Sequence, residues 1–151
     1  MHRTAEKVQE RLREAGLDVE VRELPDSTRT AAEAAAAIGC EIGQIVKTLV
    51  FVVDGGPLVV LCAGDRRVAV DRLGADARPA KADEVRAATG FAIGGVPPLG
   101  HDAPLATTVE RSLERFETVW CAAGTPHAVF GVGLLDLLGA LPQAQVADVS
   151  E

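Results

Sequence analysis

Residues 45–64 read IVKTLVFVVDGGPLVVLCAG, and this stretch carries the strongest structural signal in the chain. Residues 45–53 are apolar and rich in β-branched side chains, which favours a central β-strand. The DGG sequence at 54–56 is typical of a tight hairpin turn. Residues 57–64 are apolar again and are expected to form the antiparallel partner. The stretch therefore predicts a β-hairpin with one strand at the centre of a sheet.

Helices and strands alternate on both sides of this hairpin. Residues 2–15 have the spacing of an amphipathic helix, and residues 18–24 alternate as a half-buried strand does. A capping-box pattern at Thr30 predicts an Ala-rich helix that ends at Gly39. Between the N-terminal part and residue 89, the sequence also predicts a turn at 25–27, a short turn or helical piece at 41–44 and two short helices, DRLGAD at 71–76 and KADEVRAAT at 81–89, separated by Pro79. After residue 90 it predicts strands at 91–93, 104–109, 117–122 and 128–132 and an edge strand at 144–148. Two further helices are predicted at 110–116 and 133–141. This interleaving, with hairpins present, predicts a mixed α/β or α+β-like fold in a single domain over residues 1–151.

Composition and charge limit the class of protein. Of the 151 residues, 48% are hydrophobic, which is enough for one core. The N-terminus is charged and no apolar run approaches the ~18 residues of a membrane span, so we expect a soluble cytoplasmic protein without a membrane partner. The net charge of −7 argues against a general nucleic-acid coat and against DNA binding, but leaves room for a local contact with the end of one RNA strand. The basic residues in the middle of the chain are either solvated or part of such a contact, and they are Arg66, Arg67, Arg72, Arg78, Lys81 and Arg86.

Common metal-binding and cofactor-binding motifs are absent from the sequence. Cys40, Cys62 and Cys121 show no CxxC spacing, so neither a disulfide framework nor a zinc site is predicted. There is no glycine-rich dinucleotide fingerprint, Walker A motif, GxSxG or HExxH. We therefore expect neither a metal nor an organic cofactor.

Two polar side chains interrupt the apolar rows of the central strand. Along residues 45–53, Lys47 lies on one face and Thr48 on the other, and the remaining side chains are apolar. A buried ammonium without a partner costs free energy or shifts its pKa. Lys47 therefore either emerges at the start of the strand or faces a polar cavity.

Three other positions are candidates for a functional site. GGVPPLG at 94–100 predicts a rigid loop, because its prolines fix φ and its glycines allow unusual backbone geometry. The loop is either a tight connection or a structure that holds a ligand through main-chain groups. His127, after a Gly-Thr-Pro turn, is either a surface residue or one that donates to a ligand or carries a proton. Asp136, in the apolar sequence LLDLL, either marks the solvent face of a helix or belongs to a pocket.

These segments together resemble the YbaK/prolyl-tRNA-synthetase-associated editing domain family. The resemblance covers nearly the whole chain and runs in order through STRTAAEAAAAIG, QIVKTLVF, GGVPPLGH, GTPHAVFG and LLDLL. Lys47 matches the lysine of the family, and Gly94 to Pro98 match its GxxxP loop. His127 and Asp136 fall where the family places pocket residues. The resemblance implies a mixed, largely antiparallel β-sheet surrounded by helices around a single pocket.

The resemblance also implies a hydrolase that edits aminoacyl-tRNA. At this length the chain is similar to free-standing, trans-editing members, which remove a mischarged small amino acid from the terminal ribose of tRNA, with tRNA(Pro) as one candidate. The implied partner is the acceptor end of aminoacyl-tRNA, and a synthetase or an elongation factor is a further candidate. The alternative is a non-catalytic module that binds an amino acid, a nucleotide or a tRNA 3′ end. The chain has no Tyr, so a pocket tyrosine of relatives has no counterpart and the amino acid stays open.

The chemistry needs no strong nucleophile, because the ester is already activated and a positioned water suffices. We predict that Lys47 binds the phosphate of the terminal adenosine or the ester carbonyl and offsets oxyanion charge. Backbone groups of Gly94 and Gly95 are predicted to hold the α-amino group and the water. His127 is predicted to orient the substrate or to assist proton transfer. The remaining candidates are Pro98 in the catalytic loop and, as substrate-binding residues, Thr30, Thr48, Val96, Pro97 and Asp136.

Overall fold

The computed structural model describes residues 1–24 and 30–151, in which helices and strands alternate. The α-helices of these residues are α1 (Arg3–Glu14), α2 (Ala31–Ile38), α3 (Ala82–Thr89) and α4 (Leu134–Gly139). The strands are β1 (Arg22–Glu23), β2 (Val46–Val53), β3 (Gly56–Ala63), β4 (Arg78–Pro79), β5 (Ala106–Glu110), β6 (Thr118–Ala122), β7 (Ala128–Gly133) and β8 (Gln145–Ala147). Short 3-10 turns lie at Ile42–Gln44, Val70–Arg72 and Arg111–Arg115.

The strands of the described residues form two sheets. The larger sheet has five strands in the order β4-β2-β3-β5-β8, with antiparallel pairs on both sides of β2 and parallel pairs on both sides of β5. The smaller sheet has three antiparallel strands in the order β1-β7-β6. An isolated bridge between Ile45 and Trp120 links the two sheets. The predicted class, mixed and largely antiparallel with surrounding helices, is confirmed, and the strands divide between two sheets where we expected one.

The β2–β3 hairpin forms as predicted. Val53 pairs with Gly56, and the turn between them has positive φ angles of 52° at Asp54 and 77° at Gly55. Two consecutive positive φ angles give a turn whose twist matches that of the flanking strands, and Asp-Gly tolerates this geometry well. The local sequence therefore sets the register of the whole hairpin.

Side chains of β2 alternate between two hydrophobic clusters. Val46 and Val50 belong to the main core, which they share with α1, α3, α4 and the smaller sheet. Phe51 belongs to a second cluster on the opposite face, against the chain that follows β3 and the C-terminal segment. By the period of two in a strand, Thr48 lies on the face of the main core and Lys47 on the face of the second cluster.

The predicted strand at 18–24 is wrong in extent, since only Arg22–Glu23 pairs with a neighbour. The side chain of Gln9 in α1 takes the place of a strand. Its amide donates to the Val19 carbonyl at 2.8 Å, and its oxygen accepts from the Val21 N–H at 2.7 Å. The alternation of apolar and polar residues indicates which side chains face inward. It does not show whether the backbone N–H and C=O groups bond to a neighbouring strand or to a side chain.

Two predictions between residues 71 and 93 are also wrong. The helix predicted at 71–76 is a single 3-10 turn at Val70–Arg72. Residues 91–93 form a turn and not a strand, because the chain reverses at this point through a hydrogen bond from Gly95 N–H to the Ala92 carbonyl at 3.1 Å. Both segments were too short for their periodicity to distinguish a turn from a regular element.

The predicted helix signals around α2 are confirmed. The Thr30 hydroxyl accepts a hydrogen bond from Glu33 N–H at 3.1 Å, and Gly39 ends the helix with a left-handed φ of 87°. The predicted turn at 25–27 lies outside the described residues. Across residues 1–24 and 30–151, no helix combines the length and the apolarity that a membrane crossing requires.

Candidate functional site

A cleft opens where the two sheets part from each other. Its volume is about 710 Å³, and its walls come mainly from α2, β2, β6, the chain that follows β3 and the loop that follows α3. Hydrogen bonds hold the edge of β2 at both ends of this opening. At one end the Val50 carbonyl accepts from Ala80 N–H at 3.0 Å, and at the other end Ile45 forms an isolated β-bridge with Trp120. Between these points the register of the described strands leaves that edge of β2 open at Thr48. The backbone N–H and C=O of Thr48 point to the same edge as the Val50 carbonyl, because the pattern of an antiparallel strand repeats every second residue.

The cleft wall brings together several of the predicted site residues, namely Thr30, Lys47, Thr48, Gly94 and Val96. Gly95, Pro97 and Pro98 belong to the same loop and are buried beside them. The loop and the lysine, which the sequence placed almost fifty residues apart, therefore meet in one cavity.

Five of the ten predicted site residues do not line the cleft, namely Gly95, Pro97 and Pro98 of the loop, and His127 and Asp136. His127 lines a neighbouring depression, and its backbone carbonyl accepts from Leu24 N–H at 2.8 Å. Asp136 is exposed in the first turn of α4. For Asp136 this position matches the solvent-face alternative of the sequence analysis.

The Lys47 side chain is half-buried in the cleft wall, and its ammonium donates a hydrogen bond to the backbone carbonyl of Arg66. Lys47 is the second residue of β2 and also lines the cleft, so its position combines the two sequence alternatives, emergence at the start of the strand and a place beside a cavity. An ammonium has three N–H donors, so two remain after this bond. The chain just beyond β3 therefore orients the ammonium and leaves it able to bind a ligand.

A buried carboxylate that sequence reasoning missed supports this arrangement. Glu110 is 1% exposed, and its Oε1 accepts from Ala63 N–H at 3.2 Å and from the Ser112 hydroxyl at 2.6 Å. The Ala63 carbonyl accepts from Arg66 N–H at 2.9 Å, and the Arg66 carbonyl holds Lys47. A continuous path of hydrogen bonds and peptide units thus joins Glu110 to the lysine. In the sequence, Glu110 is the first residue of a short predicted helix, and an acidic residue at that position looks the same whether it is solvated or buried.

An ion pair fixes the same turn from the solvent side. The Arg115 guanidinium binds both carboxylate oxygens of Asp65, at 2.9 Å and 2.7 Å. The hydrogen bond from Arg115 lowers the pKa of Asp65 and keeps the carboxylate ionised. With Glu110 on the inside and Arg115 on the outside, the turn at 63–66 is a firm support for Lys47.

The loop at 94–98 is held in place by three contacts of its own. Gly95 lies so close to Gly124 that an added Cβ would stand 2.7 Å from the Gly124 carbonyl oxygen. The Gly95 carbonyl accepts from Gly124 N–H at 2.8 Å, and its N–H bonds to Ala92, so both of its polar backbone groups have partners. The ring Nε2 of His101 lies 2.7 Å from the Pro97 carbonyl. His101 was not among the predicted site residues, although the sequence GGVPPLGH contains it.

Burial decides the protonation state of His101. Loss of solvent lowers the pKa of this imidazole, and the hydrogen bond to Pro97 opposes that effect only in part. The neutral ring can donate its Nε2–H to the Pro97 carbonyl. His101 is therefore a neutral hydrogen-bond donor that fixes the proline loop.

The Thr48 hydroxyl is buried and has no hydrogen-bond partner among the described residues. Thr48 lines the cleft, and its neighbours on the same face of β2, Val46 and Val50, are apolar. An unsatisfied buried hydroxyl costs about 1–3 kcal/mol. A group that carries this cost next to a cleft is a candidate for a functional role.

The cysteines of the chain are protonated thiols. Burial raises the pKa of Cys62, which faces Lys47 across the hairpin, to about 11, despite the opposing charge of the lysine. Burial likewise raises the pKa of Cys121, in the cleft wall, and that of Cys40. A thiol attacks as its thiolate, so none of these side chains is a nucleophile at neutral pH. Within residues 1–24 and 30–151, no three His, Cys, Asp or Glu side chains group as metal ligands do.

Comparison with known proteins gives one family and several close relatives. Residues 25–140 match the model of the aminoacyl-tRNA editing domain. A crystal structure provisionally described as a trans-editing enzyme for prolyl tRNA synthetase is 46% identical, with a TM-score of 0.93 over 100% of this chain and 99% of that one. The crystal structure of the hypothetical protein APE2540 is 35% identical, with a TM-score of 0.86 over 96% and 99% of the two chains. The uncharacterized protein YwhH of Bacillus subtilis is 35% identical over 116 residues, which are 72% of this chain and 73% of that protein.

Proposed function

The chain belongs to the aminoacyl-tRNA editing domain family, and on that basis we propose that it is a trans-editing aminoacyl-tRNA deacylase. The proposed reaction is hydrolysis of the ester between a mischarged small amino acid and the terminal ribose of tRNA, with tRNA(Pro) as the first candidate. The observation that carries the proposal is the position of Lys47, whose ammonium is held in a cleft shared with Gly94 and Val96 of the GxxxP loop. The full-length similarity to a structure described as a trans-editing enzyme supports the same function.

Lys47 supplies the positive charge that the reaction requires. When water attacks the ester carbonyl, negative charge develops on the carbonyl oxygen, and an ammonium already in position stabilises it without further reorganisation. Arg66 occupies one ammonium N–H, so two are available for the oxyanion. Burial keeps the thiols of Cys62 and Cys121 protonated, and the nucleophile of the proposed reaction is a water molecule.

The open edge of β2 offers groups that can hold the aminoacyl moiety. The N–H and C=O of Thr48 face the cleft, so the carbonyl can accept from the α-amino group and the amide can donate to the ester. Gly94 lies at the exposed rim and adds main-chain groups. We assign Gly95, whose polar backbone groups are already bonded, to holding the loop in place and not to binding the substrate.

The inner wall of the cleft is aliphatic and favours a small side chain. Val46, Val50, Val85 and Val96 line it. Such walls discriminate between side chains by only about 10–200-fold per methylene, so the edited amino acid is a question for assay.

We assign no chemical step to His127 or Asp136, because both lie outside the cleft wall. The proposed partner is the acceptor end of aminoacyl-tRNA in the cytoplasm, and a prolyl-tRNA synthetase or an elongation factor that delivers it is a candidate partner.

A deacylation panel tests the proposal. The unaltered protein, Lys47→Ala and Arg13→Ala are incubated with tRNA(Pro) and other tRNAs charged with alanine, cysteine, serine or threonine, and amino acid release is measured. Arg13 is an exposed cation of α1 outside the cleft, so its loss controls for net charge. We expect release from at least one substrate, unchanged by Arg13→Ala and reduced about 10²–10³-fold by Lys47→Ala. No release from any substrate would favour the non-catalytic binding module, and full activity of Lys47→Ala would exclude the mechanism.

A further inference from the structure

A second depression lies directly beside the cleft and has a volume of about 450 Å³. Its walls come from the start of α1, the end of α3 and the turn between β6 and β7. The polar and charged residues in its lining are His2, Thr4, Glu23, Arg86, Thr125 and His127. None of these groups has a step in the proposed hydrolysis.

The depression and the cleft share a wall. Pro126 lines both, and of two consecutive residues Ala92 lines the depression while Ile93 lines the cleft. The contact between Gly95 and Gly124 holds this wall, since the Gly124 N–H donates to the Gly95 carbonyl at 2.8 Å. A chain that leaves the cleft across Pro126 therefore enters the depression over a fixed backbone edge.

The wall of the depression carries an arginine, Arg86, that has no carboxylate partner among the described residues. Some arginines elsewhere are paired with carboxylates, as in Arg11–Asp102, Arg78–Glu84, Arg111–Asp148 and Arg115–Asp65. Arg86 is exposed and forms no ion pair with any carboxylate in the described part of the chain. The acidic wall residue Glu23 lies 3.8 Å from the N-terminal ammonium of Met1, which offsets its charge. In a protein of net charge −7, a free guanidinium at such a place attracts a phosphate.

We propose that this depression binds the nucleotide that precedes the terminal adenosine of the acceptor strand, with Arg86 as its phosphate ligand. The inference rests on the proposed function, which places the aminoacylated adenosine in the cleft. A single strand that continues past this adenosine crosses Pro126, and its next phosphate lies within the field of Arg86. His127 and Thr125 offer hydrogen-bonding groups for the ribose or the base. This assigns His127, which the cleft does not include, to RNA binding.

Substrates of different length test the inference. Deacylation is measured for the unaltered protein, Arg86→Ala and Arg13→Ala on aminoacyl-tRNA and on the matching aminoacyl-adenosine, which lacks the preceding phosphate. We expect Arg86→Ala to raise KM for aminoacyl-tRNA about tenfold, and to change kcat/KM for aminoacyl-adenosine less than about twofold. The slope of log KM against log salt should fall by about 0.7, the value for one phosphate contact on a single strand. Arg13→Ala removes an exposed cation from the far part of α1 that forms no ion pair with the described residues, and it should leave the hydrolysis of both substrates unchanged.

Two results would overturn the inference while the proposed function stands. One is an equal loss on both substrates, which would place Arg86 at the adenosine or in the fold. The other is an unchanged KM for aminoacyl-tRNA. If the unaltered protein hydrolyses neither substrate, the proposed function fails, and fluorescence anisotropy with an uncharged acceptor-stem RNA ending in CCA decides the inference by itself. Weaker RNA binding by Arg86→Ala than by Arg13→Ala would then support it, and equal binding would overturn it.

Discussion

The ammonium of Lys47 donates a hydrogen bond to the backbone carbonyl of Arg66, which lies 19 residues further along the chain. The proposed catalytic group is therefore anchored to the turn at 63–66 as well as to its own strand. Glu110 holds that turn from inside the core, through Ala63, and Asp65 with Arg115 holds it from outside. Substitutions of these supporting residues should therefore change the position of the Lys47 ammonium through the turn, without removing a direct contact to it.

Glu110 should be the supporting residue on which stability depends most. Glu110→Ala leaves the buried Ala63 N–H and the half-buried Ser112 donors without this acceptor, and should lower the free energy of unfolding by about 3 kcal/mol, as read from urea denaturation. Asp148→Asn is the control, because Asp148 is an exposed partner of Arg111 and its loss should cost less than about 1 kcal/mol. Equal stability of the two variants would contradict the assignment.

Glu110→Gln, which keeps one acceptor, should lower kcat more than it changes KM, since the lysine is displaced and not removed.

The close approach of Gly95 to Gly124 predicts that an added methyl group is not tolerated. In Gly95→Ala the new Cβ would stand 2.7 Å from a backbone oxygen that cannot move freely, so we expect a loss of about 1–3 kcal/mol in the free energy of unfolding and a matching loss of deacylation. Gly139→Ala makes the same chemical change where no atom lies within 4 Å. It should stabilise the protein by about 0.5–1 kcal/mol, because alanine suits the helix and restricts the unfolded chain. Similar effects of the two substitutions would show that sterics are not the cause.

The unsatisfied hydroxyl of Thr48 predicts a stabilising substitution in the cleft. Thr48→Val keeps the shape of the side chain and removes a buried polar atom without a partner in the described residues, so the free energy of unfolding should rise by about 1 kcal/mol. Thr48→Ala, which also removes a methyl group, should not gain stability. Thermal unfolding of the three proteins at one pH distinguishes these outcomes. A valine variant that is less stable than the unaltered protein would show that the hydroxyl has a partner in solution.

The buried imidazole of His101 predicts a pH dependence of stability. Burial lowers its pKa in the folded state below the ordinary value of 6.5, so the unfolded chain binds the proton more readily. The stability that the neutral ring contributes is complete above pH 6.5 and is lost as the pH falls from there through the folded-state pKa. Urea denaturation between pH 8 and pH 5 (about the range where histidine titrates) should show this fall. In His101→Gln the fall should be smaller, and an unchanged pH profile would contradict the role of the histidine.

Much of the fold could be predicted because its signals are local. The Asp54-Gly55 turn and the Thr30 and Gly39 caps depend on residues within a few positions of each other, and all of them formed as expected. The failures are equally instructive. Residues 18–24 alternate correctly, yet Gln9 of another element satisfies part of their backbone. No pattern within the segment could have shown this.

The sequence predicted individual residues of the candidate site, but it did not predict how the fold brings them together. Lys47 and the loop at 94–98 stood out because a charged residue in an apolar strand and a Gly-Gly-Val-Pro-Pro run are both costly unless they have a use. Glu110 and His101 did not stand out, because each owes its role to burial against distant residues. An acidic residue at the start of a short predicted helix and a histidine after a glycine look the same whether they are solvated or buried.

The amino-acid sequence by itself determined the hairpin, the caps, the mixed class of the fold and the identity of the lysine and the proline loop. Short-range backbone preferences and apolar periodicity encode these features, and both can be read one segment at a time. The tertiary structure alone decided that β2 leaves its edge open at Thr48, that Lys47 is bonded to Arg66, and that Pro126 lies between the cleft and a second depression. These depend on how two sheets part and on contacts between residues far apart in the chain, and their free energy comes from burial and hydrogen bonds that exist only once the core has formed.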